Sequence, residues 1–331
     1  MASLLSDTAN HALAASTWSC YETALNQLSK CSTELEKNFT FPLSENDTLC
    51  FIGWLLQKGL SASTIESYLS GLRQCHIIEG FKDFSLRTPL VNQIVQGRKN
   101  QQAVKKLVVG GKERLPVTQN MMLLIKQDLK TSSLPKETKL LIWSAATLLF
   151  HGGFRGGELL AQKELSFDPA SCLLKKDVSL HNVLVKGERV QLLQVCLKLE
   201  KTNNSGKVNF VDVYASNGAT CPIKAWKKWS IFAHNDQNLP AFRDLLGRNF
   251  TCKRFNSYLR NFDRKYLNFP GRPLSCHSFR AGLATLLAKI GYSDDDIKQS
   301  GRWSSRAFLA YIKLPRTRRL QMSREIASLD L

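Results

Sequence analysis

The sequence predicts a mostly helical protein of two domains, with a small antiparallel sheet confined to the second domain. The first hundred residues contain apolar residues at helical spacing between turn signals, and no convincing alternation typical of strands. Short alternating apolar runs occur only between about residues 173 and 213. The chain has 331 residues, whereas one domain usually holds roughly 100 to 200, and this length favours two domains.

Three helices are predicted in the first part of the chain. Ser16 or Thr17 is expected to cap the first helix, residues 44–47 open the second, and the third spans residues 61–75 from a Ser/Thr start. Each contains apolar residues at helical spacing. The predicted apolar faces are Trp18, Tyr21, Leu25 and Leu28 in the first helix, Leu49, Phe51, Trp54 and Leu55 in the second, and Ile65, Tyr68, Leu69 and Leu72 in the third.

A basic stretch follows between about Gly97 and Pro116 and contains two adjacent glycines. We expect a helical DNA-binding domain of residues 1–97, a basic interdomain linker of residues 98–116 that runs along phosphates, and a second domain of residues 117–331. The alternative is a solvated charged loop in a one-domain protein. The residues expected to contact DNA are Arg98, Lys99, Lys105, Lys106, Lys112 and Arg114.

The second domain is expected to begin with helices over residues 120–129 and 136–150. Strands are predicted at residues 173–176, 190–199 and 208–213, and the segment KTNNSGK between the last two has a hairpin-turn composition. The rest of the chain is predicted to be helical. Prolines and glycines at 240, 270, 271, 291 and 315 interrupt it.

The formal charge of +19 and the pI near 9.7 predict a polyanionic partner, most simply nucleic acid. An anionic membrane surface would attract the same charge, but the longest apolar stretch, residues 140–150, is far shorter than the roughly 20 residues that span a bilayer. The weakly polar start predicts no secretion signal. The nine cysteines never form C-x-x-C, so we expect reduced, mostly buried thiols and no metal.

The second domain contains the groups needed to cut a phosphodiester without a metal. Such a reaction requires cations on the non-bridging oxygens, an in-line nucleophile and a proton donor for the leaving oxygen. Arginine suits the first role, because its planar fork matches phosphate geometry and stays charged. Arg155 in HGGFRGGELL, and His277 and Arg280 in CHSFRAGLATLLAKIGYS, lie at the starts of predicted helices, and Tyr311 follows them.

These motifs resemble those of the tyrosine recombinases. The segment FRGGEL at residues 154–159 is similar to the first arginine box of that family, HSFR at 277–280 to its H-x-x-R box, and GRWSSRAFLAY at 301–311 to its nucleophile box. The resemblance covers about residues 118–331, and the first helices resemble the core-binding domain more loosely. The segments HSFRAGLAT and GRWSSRAFLAYIKLPR are most similar to recombinases of the DIRS, Ngaro and Crypton mobile elements of eukaryotes.

The resemblance implies a role for each residue that matches a motif. The tyrosine would attack DNA to give a 3′-phosphotyrosine and free a 5′-hydroxyl, which then attacks the equivalent linkage of a partner strand. An acidic residue after the first arginine would orient its neighbours. The implied residues are Arg155 and Arg280 as phosphate clamps, Glu158 as the acidic residue, His277 as a proton shuttle, Trp303 as an indole N–H donor to phosphate, and Tyr311 as the nucleophile.

The resemblance also implies a lysine general acid in the hairpin turn. Lys201 is the preferred candidate, because of the KT dipeptide at the entrance of the turn, and Lys198 and Lys207 flank the same turn. One spacing departs from the commoner family pattern. Eight residues separate Trp303 from Tyr311, one fewer than expected, and this would turn the tyrosine about 100° around a helix.

The expected fold is therefore a two-domain tyrosine recombinase clamp around double-stranded DNA, and the expected reaction needs no cofactor. The tail contains Leu320, Met322, Ile326 and Leu329 at helical spacing. The resemblance implies that such a tail docks on a neighbouring protomer to give a homotetramer on two DNA sites; packing on its own domain is the alternative.

The resemblance implies a site-specific recombinase that integrates or excises a mobile element, located in the nucleus, or in the cytoplasm if the source is bacterial or a phage. Two other functions remain open. One is an inactive, domesticated DNA-binding protein, which the complete set of catalytic residues argues against. The other is a type IB-like topoisomerase, against which the separate helical domain and the tail argue.

Overall fold

The computed structural model describes residues 15–81, 86–109, 115–198 and 208–312, together with Leu320 and Arg324. The chain divides into two compact units, Met1–Gly111 and Lys112–Leu331. Both are dominated by helices, and the second contains one small antiparallel sheet, so the predicted fold class is confirmed. Among the described helices, none combines the length and the apolar character needed to cross a membrane.

The first unit contains four described helices around its own apolar core. Ser44 and Ser61 cap the second and third helices, because each hydroxyl accepts a hydrogen bond from the backbone N–H three residues later. Both predicted helix starts are confirmed. The helices are α1 (Ala15–Glu34), α2 (Glu45–Gln57), α3 (Ala62–Ile78) and α4 (Pro89–Val109).

The buried face of α1 differs from the predicted one. Ala24, Leu28 and Cys31 are buried, whereas Leu25 is 38% exposed. Gly71 of α3 explains the difference, because a Cβ there would lie 3.3 Å from the Cβ of Ala24 and 2.8 Å from the ring of Tyr21. The close approach of two helices thus selects small residues for the contact, and a search for large apolar residues overlooks them.

The basic stretch expected to start a linker is helical at first. Helix α4 continues through Val109, and the first compact unit extends to Gly111. Gly97 did not end the helix, because glycine inside a helix costs only about 1 kcal/mol relative to alanine. The remaining part of the predicted linker includes residues 110–114, which lie outside the described residues.

The second unit starts with the two predicted helices and places the sheet between helical segments. Its core includes Trp229, Phe242, Phe255 and Phe279, each with at most 1% of its surface exposed. The helices are α5 (Gln119–Thr131), α6 (Lys136–His151), the single turn α7 (Gly156–Leu159), α8 (Pro222–Ser230), α9 (Cys252–Tyr266), α10 (Cys276–Lys289) and α11 (Asp294–Ser300). Two 3₁₀ helices span Lys175–Asp177 and Arg306–Tyr311.

The sheet has the strands β1 (Val178–Val185), β2 (Glu188–Leu197) and β3 (Asn209–Tyr214) in the order β1-β2-β3, all antiparallel. Val178 pairs with Val195, and Leu197 pairs with Asn209. The predicted strands at 190–199 and 208–213 are thereby confirmed within one or two residues, apart from Leu199, which lies outside the described residues. Residues 199–207, with most of the predicted turn, also lie outside them.

The prediction of a strand at residues 173–176 was wrong. Leu174 forms only an isolated bridge with Pro240, and the chain then enters a 3₁₀ helix. The first strand is β1, which the sequence analysis missed. Six of its eight residues are exposed and none is buried, so this edge strand shows no alternation between an apolar and a polar face.

Helix α6 is buried on every side over its second half. All residues from Leu141 to Phe150 are buried, including Ser144 and Thr147. Thr147 donates its hydroxyl proton to the carbonyl oxygen of Ser144 at 3.0 Å. This helix is the central element of the second unit, and its carboxyl end leads directly into the candidate site.

Asp128 ties α5 to α9 at the periphery of the same core. It accepts hydrogen bonds from Tyr258 Oη at 3.0 Å and from Lys265 Nζ at 2.8 Å. Burial raises the pKa of this carboxyl, but the bonds from Lys265 and Tyr258 outweigh burial and hold the pKa below its ordinary value. The carboxylate therefore stabilises the fold in its charged form.

Candidate active site

Arg155 lies immediately after the buried helix α6, across a glycine turn. Gly153 has φ of +55°, a conformation that glycine adopts readily. A Cβ on Gly152 would lie 2.1 Å from the ring of Phe154, which is itself fully buried. The turn thus anchors Phe154 in the core and places Arg155 at the N-cap position of α7.

Glu158 holds Arg155 from the same short helix. Its Oε2 accepts from the backbone N–H of Arg155 at 2.8 Å, and its Oε1 accepts from Nη1 of Arg155 at 2.7 Å. Oε2 also pairs with Nη2 of Arg302 at 2.8 Å. The Glu158 side chain is 6% exposed, so this carboxylate is a buried bridge between two guanidinium groups. The expectation that it orients its neighbours agrees with these contacts.

Arg280 reaches the same place from α10. Its side chain is 1% exposed, and its Nη1 donates to the carbonyl oxygen of Gly153. Its guanidinium carbon lies 4.3 Å from the ring centroid of Trp303, a cation–π arrangement. Arg280 is therefore a buried cation held between a glycine carbonyl and an indole face.

Arg302 connects the two predicted phosphate clamps, and the sequence analysis did not propose it. Its carbonyl oxygen accepts from Nη2 of Arg155 and from Nη2 of Arg280, each at 3.5 Å, so these nitrogens are at most about 7 Å apart. Its own guanidinium pairs with Glu158, donates to the carbonyl of Gly152 at 3.2 Å and lies 5.1 Å from the Phe154 ring centroid. Its φ is +54°.

Trp303 lies beside Arg280 and is almost entirely buried. It is 9% exposed and packs with Ala284, Ile297 and Phe308 beside Arg280. A donation from its indole N–H to a phosphate remains a prediction. The commoner family pattern places a site residue nine positions before the tyrosine. In this sequence that position is Arg302, so the spacing could have indicated it.

Tyr311 ends the 3₁₀ helix Arg306–Tyr311, which begins three residues after Trp303. Ser305 caps this helix and Phe308 anchors it in the core. The side chain of Tyr311 lies outside the described part of the structure, so its role as nucleophile stays a prediction. The position of the backbone places it on the element that directly follows the arginine cluster.

His277 lies one helical turn before Arg280, so the two residues share a face of α10. It is half-buried. Two contacts fix the first turn of this helix. The backbone N–H of Cys276 donates to Asn256 Oδ1 at 2.8 Å, and Ser275 and Ser278 form a capping box. The predicted proton shuttle is thereby held on the same rigid helix as Arg280.

Two thiols pack behind the arginine turn. A Cβ on Gly156 would lie 2.8 Å from Sγ of Cys252 and 3.1 Å from Sγ of Cys276, so only glycine fits without a shift. The side-chain hydrogen bond with Cys252, together with burial, raises the pKa of the Cys276 thiol, and the same bond lowers that of Cys252. The start of α7 is therefore closely packed against α9 and α10.

Of the three lysines proposed for the general acid, Lys198 lies among the described residues. Lys198 pairs with the buried Asp177 at 2.6 Å and donates to the carbonyl of Pro169 at 3.2 Å. These contacts engage it at the base of the sheet and disfavour it for proton donation. Lys201 and Lys207 lie outside the described residues, and Lys201 stays the prediction.

The residues predicted to contact DNA in the basic stretch belong in part to α4. Nε of Arg98 donates to the carbonyl of Leu60 at 3.2 Å, Nζ of Lys99 pairs with Glu66 at 2.8 Å, and Lys105 is exposed. The side chain of Lys106, and Lys112 and Arg114 entirely, lie outside the described residues. Contact with DNA stays a prediction for all six.

Glu158 pairs with Arg155 and Arg302, and Arg280 joins the cluster through the carbonyl oxygen of Arg302, so three guanidinium groups share one carboxylate among their described contacts. The excess positive charge favours a bound anion, and two guanidinium forks within about 7 Å of each other match the non-bridging oxygens of one phosphate. The structure brings Arg155 and Arg280, which are more than a hundred residues apart in the sequence, to one site, and their role as phosphate clamps stays a prediction.

No protein-family model matches the sequence, and no curated protein matches it. Solved structures do match. The Tn1549 transposon integrase in complex with transposon right end DNA is 14% identical with a TM-score of 0.59, covering 98% of each chain. The XerH site-specific recombinase bound to difH substrate is 14% identical with a TM-score of 0.55, covering 87% of this chain and 72% of that one.

A lambda integrase dimer bound to a COC′ core site is also similar, at 16% identity and a TM-score of 0.54, covering 91% of this chain and 72% of that one. At these identities the comparison concerns architecture. The matches extend over both compact units, and the neighbours are recombinases and integrases in complex with DNA. The chain has the fold of the tyrosine recombinases.

Proposed function

We propose that this protein is a DNA strand-cutting and rejoining enzyme of the tyrosine recombinase kind. The observation that carries the proposal is the convergence of Arg155 and Arg280 on one carbonyl oxygen, beside the helix that ends at Tyr311. Two guanidinium groups held in this way stabilise the extra negative charge that a phosphodiester gains during attack. The likeness of the fold to DNA-bound recombinases supports the same function.

In the proposed reaction the Tyr311 oxygen attacks phosphorus and the bond from phosphorus to the 5′-oxygen breaks. The products are a 3′-phosphotyrosine and a 5′-hydroxyl, which receives its proton from a general acid. His277 shuttles the tyrosine proton, and Lys201 protonates the leaving oxygen. The 5′-hydroxyl of a partner strand then reverses the step, and no cofactor is consumed.

Joining DNA strands from two different sites requires more than one protomer. We propose a homotetramer on two DNA duplexes, assembled through the tail that contains Leu320. The amino-acid sequences of the motifs support a role in integration or excision of a mobile element of the DIRS, Ngaro or Crypton kind, and a location in the nucleus. Cross-linking of the protein with and without its tail, on DNA containing two sites, tests the assembly.

The first experiment traps the covalent intermediate. The purified protein is incubated in EDTA with nicked duplexes that include the ends of the source element, and adducts are separated on a denaturing gel. We expect an adduct from the unmodified protein and from Tyr292→Phe, since Tyr292 is an exposed tyrosine, and no adduct from Tyr311→Phe. DNA binding without an adduct on every substrate would favour an inactive DNA-binding protein.

A second experiment assigns the general acid. A 5′-thiolate is a good leaving group without a proton, so a substrate with sulfur in place of the bridging 5′-oxygen rescues a variant that lacks the acid. We expect this rescue for Lys201→Ala and none for Lys198→Ala or Lys207→Ala. Rescue of Lys207→Ala instead would transfer the role to Lys207.

A further inference from the structure

The second unit contains a cavity of about 540 Å³ that shares no lining residue with the arginine cluster. It lies between α5, α6, α8 and the loop at residues 217–221. On α6 it is lined by Trp143 and Lys139, roughly 12 and 18 Å before the end of the helix at His151, since a helix rises about 1.5 Å per residue. None of the residues that line the cavity belongs to the arginine cluster of the candidate active site.

Five lysines surround the cavity. Nζ of Lys126 donates to the carbonyl of Ala219 at 2.7 Å and lies 5.7 Å from the Trp143 ring centroid. Nζ of Lys139 donates to the carbonyl of Ser132 at 2.6 Å. Neither contact neutralises the charge. The five residues are Lys126, Lys130, Lys139, Lys224 and Lys228, and the described residues place no carboxylate within ion-pair distance of any of them.

Part of the cavity lining is apolar. Leu129, Leu140 and Trp143 line it, and Trp143 is 8% exposed. A cavity of this size, with an apolar lining and a few charged groups, is typical of a binding site for a small or extended ligand. The lysines favour a negatively charged ligand, because five cationic side chains line one cavity and the described residues place no carboxylate against them.

We propose that this cavity binds an acidic peptide segment of a partner protein, with one aromatic or large aliphatic side chain inserted against Leu129, Leu140 and Trp143. Duplex DNA fits less well, because a stiff duplex presents phosphates on a convex surface and has nothing to fill an apolar recess. A peptide supplies both parts, with carboxylates for the lysines and an anchor for the recess. This site lies beyond strand cutting and does not depend on it.

The test uses the full-length protein without DNA. The probe is a short fluorescein-labelled peptide of glutamates around one phenylalanine, and binding is followed by fluorescence anisotropy at low salt. We expect roughly tenfold weaker binding when Lys224→Glu and Lys228→Glu are combined, and a similar loss when serine replaces the phenylalanine of the peptide.

The matched control combines Lys163→Glu with Lys289→Glu, since both residues are exposed lysines of the same unit that do not line the cavity. Equal weakening in the two double variants, or equal binding of the peptide without phenylalanine, would indicate unspecific attraction and overturn the proposal. Displacement of the peptide by duplex DNA, with DNA affinity reduced by the cavity variant alone, would assign the cavity to DNA and overturn it as well. Thermal melting confirms that each variant is folded.

Discussion

Replacing Glu158 by glutamine removes the one carboxylate that bridges Arg155 and Arg302. The two ion-paired contacts, at 2.7 and 2.8 Å, are weakened, because the neutral amide has one accepting oxygen and its NH2 group faces a guanidinium donor at the other position. A bond to a charged group contributes about 1.5 to 3 kcal/mol and a neutral one about 0.5 to 1.5, so the two changes together cost roughly 2 to 3 kcal/mol. The Arg302 side chain is 10% exposed and loses the negative charge opposite it, which raises the expected loss to about 2 to 4 kcal/mol.

The matched control is Glu164→Gln. Glu164 is 43% exposed, and its carboxylate lies 3.8 Å from Arg254 and 3.9 Å from Arg248, contacts that we expect to contribute less than about 0.5 kcal/mol. Urea denaturation of both variants measures the difference in the free energy of unfolding. The rate of adduct formation on the nicked substrate, measured at a concentration of denaturant at which both proteins are folded, reports the effect on the arginine geometry.

Because Glu158 holds Arg155 rather than the phosphate, Glu158→Gln should lower the rate of adduct formation while DNA affinity changes little. An equal loss of stability in Glu158→Gln and Glu164→Gln would refute the inference that the buried bridge organises the site. An unchanged rate in a destabilised Glu158→Gln protein would refute the link between the bridge and catalysis.

Two further predictions concern stability. Asp128→Asn should lower the free energy of unfolding by about 1 to 3 kcal/mol at neutral pH. Because the pKa of Asp128 in the folded state lies below its ordinary value of 3.8, this difference should shrink as the pH falls below that value. A difference in the free energy of unfolding that is independent of pH from 3 to 7 would contradict the assignment. Gly301→Ala places a Cβ 1.7 Å from the ring of Trp303 and should lower the melting temperature, whereas Gly157→Ala, with nothing within 4 Å of its Cβ, should not; equal melting temperatures would show that Trp303 can move aside.

The sequence predicted the helical elements best where a capping residue preceded an apolar pattern. Ser44 and Ser61 are such residues, and both helices begin where expected. The prediction was wrong where the buried residues are small or where a strand has no buried residues. In α1 the contact with Gly71 selects Ala24 instead of a large residue, and β1 lacks a buried face altogether. Neither feature depends on local sequence, because each is determined by the partner element.

The sequence indicated the arginine side chains of the candidate site and missed the backbone groups that hold them. Arg155 and Arg280 follow from the need for paired phosphate clamps. The carbonyl oxygens of Gly153 and Arg302, which hold those clamps, leave no signal in residue type. The one available clue was the distance of nine residues between Arg302 and Tyr311.

The burial of α6 on all sides indicates that the candidate site forms together with the core of the second unit. A helix enclosed from Leu141 to Phe150 opens only with its whole surroundings, so its amide protons should exchange with solvent as slowly as those anywhere in the second unit. Arg155 is attached to the end of this helix through the anchored Phe154. The pair of Arg155 and Glu158 should therefore exist in the protein alone. If the proposed function is correct, a DNA-dependent step in activation would reside in segments farther from this core.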